Sequence, residues 1–203
     1  MKRVIPVVFA ATLLWPLSLS AQVNPVNDVS GAVSVLTVGG DQTDAARHTL
    51  VGWHLAVSQM IRSAAASAIN DTPVSIVGDF SGQWNTLDAG NDLHVSEYMG
   101  GVRVRFGRIR TVAPQVKRVD PMSVFVHALA GGTTRTSGAA SGSHFMMGYG
   151  GGVDVLPKAP RGDAYAFGIR AQFDWLPSRV DDAWQTRQFR LGVGVVFAVR
   201  YWD

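Results

Sequence analysis

A serine hydrolase needs a hydroxyl, an imidazole to take its proton and a carboxylate to orient the imidazole, all within hydrogen-bond reach. The chain holds those types at Ser143 and His144, with Asp92 or Glu97 as the acid and His94 as a second imidazole. They lie in or beside polar segments, where Ser and Asp are ordinary turn residues, and no motif frames the serine. The reading is therefore that the chain is not an enzyme. Its five histidines are dispersed in sequence, and the absence of Cys excludes a thiol nucleophile, a disulfide framework and a cysteine metal site. GYGGG, from Gly148 to Gly152, is not followed by the lysine or the strand-to-helix switch of a phosphate loop. DAGND, from Asp88 to Asp92, lacks the spaced acids and closing Glu of a calcium loop. No cofactor and no metal are expected.

The segments that must position these residues alternate with a period of two. YAFGIRAQFDW puts Tyr165, Phe167, Ile169, Ala171, Phe173 and Trp175 on one face, and Ala166, Gly168, Arg170, Gln172 and Asp174 on the other. That period is a β-strand's, and the two faces meet different surroundings. QFRLGVGVVFAVRYW repeats it, with Phe189, Leu191, Val193, Val195, Phe197, Val199 and Tyr201 against Arg190, Gly192, Gly194, Val196, Ala198 and Arg200. Similar segments start near Val29, Leu50, Val74, His94 and His144. An eighth, MSVFVHALAGG, is hydrophobic on both faces and leaves its orientation open. His54 and His127 read as strand residues facing either the interior or the lipid.

Eight segments of about ten residues suit a strand tilted across a bilayer, about 9 to 11 residues, better than the roughly 5 or 6 usual in soluble sheets. The connectors alternate as well. GGDQTDAARH, NTLDAGND, GTTRTSGAASGS and PSRVDDAWQT are polar, whereas IRSAAASAINDTP, TVAPQVKRVDP and PKAPRGDA contain proline and most of the basic loop residues. The first set is placed outside the cell and the second in the periplasm, with both termini periplasmic. IRSAAASAIND suits a short helical turn.

At the N-terminus, Lys2 and Arg3 precede an apolar run that ends in Ser18, Leu19, Ser20 and Ala21, the layout of a secretory signal peptide. Residues 1–21 are read as that signal, 22–28 as a short periplasmic lead, and 29–203 as the barrel domain. Pro6 and Pro16 interrupt the run and argue against a retained membrane anchor. Loss of Lys2 and Arg3 leaves 16 basic residues against 15 acidic ones, so the formal charge of +3 falls to +1. A nucleic-acid partner is not expected on that balance.

No window after Ala21 reaches the eighteen apolar residues of a helical span. The expected fold is all-β, an eight-stranded antiparallel transmembrane β-barrel, which leaves no backbone edge unpaired in hydrocarbon. Eight strands enclose just enough width for side chains. Asp79, Glu97, Arg103, Asp154, Arg170, Asp174, Arg190 and Arg200 are expected to form one interior ionic network, because an isolated buried charge would cost several kcal/mol. Trp84, Trp175 and Tyr201 are expected at the interfaces with the lipid headgroups.

VGDFSG, GVRVRF, VFVHALAG, MMGYGGGVDV, IRAQFDW and QFRLGVGVVF together resemble the small bacterial outer-membrane β-barrel family, similar to the eight-stranded membrane domain of the OmpA type. The resemblance runs from about Val29 to Tyr201. It implies a cell outer-membrane protein, with outer-membrane lipid and lipopolysaccharide as its partners, and a C-terminal strand read by the barrel-assembly machinery through Phe197, Val199 and Tyr201. Some barrels of this kind modify lipid A, but none of their local motifs is found here. The expected role is structural anchoring by a monomer whose surface loops bind a partner. The alternatives are a narrow pore for small solutes, a lipid A-modifying enzyme, and a soluble β-barrel holding an apolar ligand.

Overall fold

The computed structural model describes residues 26–39, 48–61, 74–86, 92–106, 109–113, 116–119, 122–138, 140–156, 165–180 and 182–200. The segment expected as a signal peptide, most of that expected as a periplasmic lead, all but Ile61 of the helical turn expected over 61–71, and Tyr201 lie outside them. Twelve strands are described, eight of which form the wall. These eight are β1 (Val26–Val38), β2 (His48–Met60), β3 (Val74–Thr86), β4 (Asp92–Phe106), β7 (Met122–Ser137), β8 (Ala140–Val155), β9 (Tyr165–Trp175) and β12 (Gln188–Arg200). Each pairs antiparallel with its sequence neighbours in the wall, and β1 pairs with β12, so the sheet closes on itself. This is an all-β, eight-stranded antiparallel transmembrane β-barrel.

Two short hairpins decorate the wall. β5 (Ile109–Ala113) pairs with β6 (Val116–Val119) at the end where β1 begins and β12 finishes, called here the terminal end. β10 (Ser178–Val180) pairs with β11 (Ala183–Gln185) at the opposite, loop end. Both hairpins fall in stretches read from sequence as loops. So does GTTRTSGAASGS: β7 runs on to Ser137, and β8 starts at Ala140. Gly138 makes the turn at a φ of 56°, a conformation open to glycine without a Cβ penalty. Ser, Thr and Gly mimic loop composition there, but cross-strand pairing continues.

The alternation resolves every face, including that of MSVFVHALAGG. Ser123, Phe125, His127 and Leu129 point inward, while Val124, Val126 and Ala128 point out. Outside, residues such as Val33, Ile76, Val102, Phe167, Ile169, Leu191 and Val193 are exposed and apolar. Inside, arginines and carboxylates are buried. A soluble barrel holding an apolar ligand needs the reverse arrangement, whereas an apolar belt around a polar lumen is what hydrocarbon demands.

On the outer wall, Trp53 lies across Gly82, so that a Cβ at that glycine would sit 2.8 Å from the indole Nε1. Gly82→Val must therefore displace the ring. The expected loss is about 1 kcal/mol, since the substitution overpacks a site that an aromatic already covers. The urea unfolding midpoint in detergent micelles measures it, and an unchanged midpoint would mean that the ring contributes nothing there.

Candidate functional site

Because strand alternation sends every second side chain inward, the lumen is filled in layers. Nearest the loop end, Leu36, Leu50, Val95, Leu129, Met146 and Leu176 form an apolar layer across the barrel. Leu176 enters it because Leu176, Pro177 and Ser178 are buried in succession, a break in alternation between β9 and β10. Met147 N–H donates to the Pro177 carbonyl across this break at 2.9 Å. Above the layer, Arg135 donates to Gln185 Oε1 at 2.9 Å and Ser178 Oγ at 3.1 Å, and Gln188 Nε2 donates to the same hydroxyl at 2.8 Å. The β10–β11 hairpin is thereby tied over the mouth.

Below it sits Arg190, 1% exposed, at the centre of three carboxylates. Its guanidinium reaches Asp174 at 2.7 Å, Asp79 at 2.9 Å and Glu97 at 3.0 Å. Two imidazoles close the group. His54 Nε2 lies 2.7 Å from Asp79, and His127 Nε2 lies 2.8 Å from Asp174. Ser81 donates to Glu97 and Gln172 to Asp174.

A second group lies toward the terminal end. Arg170 Nε and Nη2 meet Asp154 at 2.6 and 2.9 Å, and Arg105 bridges Asp28 and Asp154 at 2.8 and 3.1 Å. Arg103 and Arg170 lie over the Phe125 ring, with their guanidinium carbons 4.4 and 4.9 Å from its centroid. Glycines make room for these heads. A Cβ at Gly152 would stand 2.6 Å from the Phe125 ring, and one at Gly150 would collide with the Asp174 carboxylate.

The structure thus places Asp79, Glu97, Arg103, Asp154, Arg170, Asp174 and Arg190 inside the barrel, in two groups rather than the single network expected. The division follows from reach. Each guanidinium spans only neighbouring strands and the width of a narrow lumen, so it serves the carboxylates at its own height. The side chain of Arg200 lies outside the described residues. Asp28, Arg105, His54 and His127 complete the groups. Asp28 precedes the Val29 start chosen for the first segment; the period of two, carried one step back from Ser30, finds it. Among the described residues the lumen holds Arg103, Arg105, Arg135, Arg170 and Arg190 against Asp28, Asp79, Glu97, Asp154 and Asp174. The five cations and five carboxylates are unevenly divided: Arg190 faces Asp79, Glu97 and Asp174, whereas Arg103, Arg105 and Arg170 share Asp28 and Asp154.

On the outer wall, Trp84 and Trp175 are exposed near the loop end. Trp175 stacks at a tilt on Tyr149, centroids 5.8 Å apart, and donates its indole N–H to the Thr186 carbonyl at 2.6 Å. Phe145 and Trp184 extend this aromatic strip at 6.3 Å.

The hydrolase candidates are not brought together. Ser143 and His144 are neighbours on β8 and therefore face opposite sides of the wall. Ser143 bonds Thr134 at 3.1 Å on the outer face. Glu97 is buried beneath Arg190, and Asp92 and His94 face outward on β4.

No protein-family model matches the chain, and no curated protein matches it. Solved structures do. The neisserial surface protein A aligns over 89% of this chain and 100% of its own, at 9% identity and a TM-score of 0.52. The attachment invasion locus protein of Yersinia pestis covers 89% of this chain and 100% of its own, at 15% identity and a TM-score of 0.43. At those identities the likeness concerns fold. The chain is a small eight-stranded β-barrel, and the fold it shares is that of the neisserial surface protein.

Proposed function

We propose that the chain is an integral outer-membrane protein with both termini periplasmic, whose sealed barrel anchors loop-end hairpins that meet a partner at the cell surface. The observation that carries this reading is a lumen closed by side chains inside an apolar belt. Leu36, Leu50, Met146 and Leu176 are fully buried in one layer, and Arg190 and Arg103 are 1% exposed in the layers beneath. An eight-stranded lumen filled in this way supports anchoring over permeation. The hairpins it would present are polar. His94, Ser96, Thr134, Thr136, Ser141 and Ser143 share the outer face of the β4–β7–β8 tip, and exposed Arg179 pairs with Asp182 at 2.8 Å on the β10–β11 hairpin. In this reading the protein is a monomer bathed in membrane lipid and lipopolysaccharide, delivered by the barrel-assembly machinery, with no nucleic-acid partner.

Two measurements test the proposal. In planar bilayers the purified protein is expected to show no steady conductance, and reproducible single-channel steps would replace the anchor with a narrow pore. Because the chain has no Cys, Thr136→Cys and Ile61→Cys give clean labelling sites at opposite ends. A membrane-impermeant maleimide on intact cells is expected to label the first only. Labelling of the second alone would invert the orientation.

A further inference from the structure

Among the described residues the terminal-end group carries more positive charge than its carboxylates can absorb. Asp28 and Asp154 offer four oxygens. Arg170 takes Asp28 Oδ1 at 3.0 Å and Asp154 Oδ1 at 2.6 Å, and Arg105 takes Asp28 Oδ2 and Asp154 Oδ2 at 2.8 and 3.1 Å. Ser58 also donates to Asp28 Oδ2. Arg103 keeps one contact, Nη1 to Asp28 Oδ1 at 3.5 Å, the outer limit of a hydrogen bond. Its Nε and Nη2 are buried without a protein partner, as is Arg105 Nε.

Among the described residues three guanidiniums therefore share two carboxylates, and the surplus charge falls on Arg103, which is 1% exposed. The Phe125 face beneath it attracts the cation but gives its in-plane N–H groups nothing to bond. His127 is the direct cross-strand neighbour of Arg103, and its Nδ1 is likewise buried without a partner. A buried guanidinium with idle donors is among the more costly arrangements in a protein interior. Arg105, 15% exposed at the side chain, connects the group to the terminal end of the lumen.

We propose that this end of the barrel binds one small inorganic monoanion of chloride size, held by Arg103 Nε and Nη2 and by Arg105 Nε. A single negative charge matches the surplus of three arginines over two aspartates. A spherical ion accepts N–H groups from several directions.

Crystals of the full chain soaked in bromide decide the matter. An anomalous peak within hydrogen-bonding reach of both guanidiniums is expected. Bromide confined to the protein surface, or an ordered water without anomalous signal between Arg103 and Arg105, would overturn the proposal. Stability gives a second readout, taken in micelles at constant ionic strength. Above the dissociation constant, each tenfold rise in chloride at the expense of fluoride should raise the folding constant of the native chain up to tenfold. R103M should abolish that dependence, and R105M should weaken it if R103M does not fold. Equal chloride dependence in the native chain and a folded variant would mean a general salt effect and no site.

Discussion

Replacing Arg190 with alanine is expected to keep the chain from reaching a stable folded barrel. The substitution leaves Asp79, Asp174 and Glu97 buried together without the cation that meets all three. Breaking one buried ion pair costs about 3–5 kcal/mol, because the abandoned charge keeps its desolvation penalty. Three abandoned carboxylates would approach the whole stability of a typical domain, about 5–15 kcal/mol. R190K is expected to fold but with a lower midpoint, since an ammonium keeps the charge and loses the planar fork that spans Asp174, Asp79 and Glu97. The measurement is electrophoretic mobility with and without boiling, together with the urea midpoint in micelles. A heat-modifiable R190A band with an unchanged midpoint would show that the network contributes no stability.

Val193→Arg has the next largest expected effect, and it separates a membrane wall from a soluble one. Val193 is more than half exposed on the outer face of β12, beside Val33 of β1 and Ala171 of β9. On a surface facing water, such a change usually stays within about 0.5 kcal/mol. Near the bilayer midplane it costs about 2–4 kcal/mol. Reversible unfolding from lipid vesicles is expected to give the larger figure. A loss below about 0.5 kcal/mol in vesicles would place this face outside the hydrocarbon.

The wall was legible in the sequence because hydrocarbon imposes a strict rule on one face of every strand. Tyr165 to Trp175 and Gln188 to Trp202 display it without interruption; the first coincides with β9, and the second starts where β12 starts. MSVFVHALAGG hid its orientation because Phe125 and Leu129 pack inside a lumen otherwise marked by polar residues. Residue type alone cannot sort an apolar side chain between lumen and lipid. The interior charges could be found for the same reason that the strands could, but their partition into two groups depends on which heads share a height. That information resides in the strand register. The tie between Arg135, Ser178 and Gln185 was hidden in stretches whose Ser, Gly and Asp content suggests loops.

The pairing of β1 with β12 also bears on how the molecule is made. Val26 meets Arg200 and Val38 meets Gln188, so the first wall strand finds its second neighbour only when the last has been delivered. Until then the growing sheet has two raw edges, each a template for the wrong chain. The seam joins residues near opposite ends of the sequence, the kind of non-local pairing that slows folding. A chain shortened by its final strand would therefore lose more than one wall stave in eight. It would stay an open, apolar ribbon, for which the alternatives to a chaperone are aggregation or degradation.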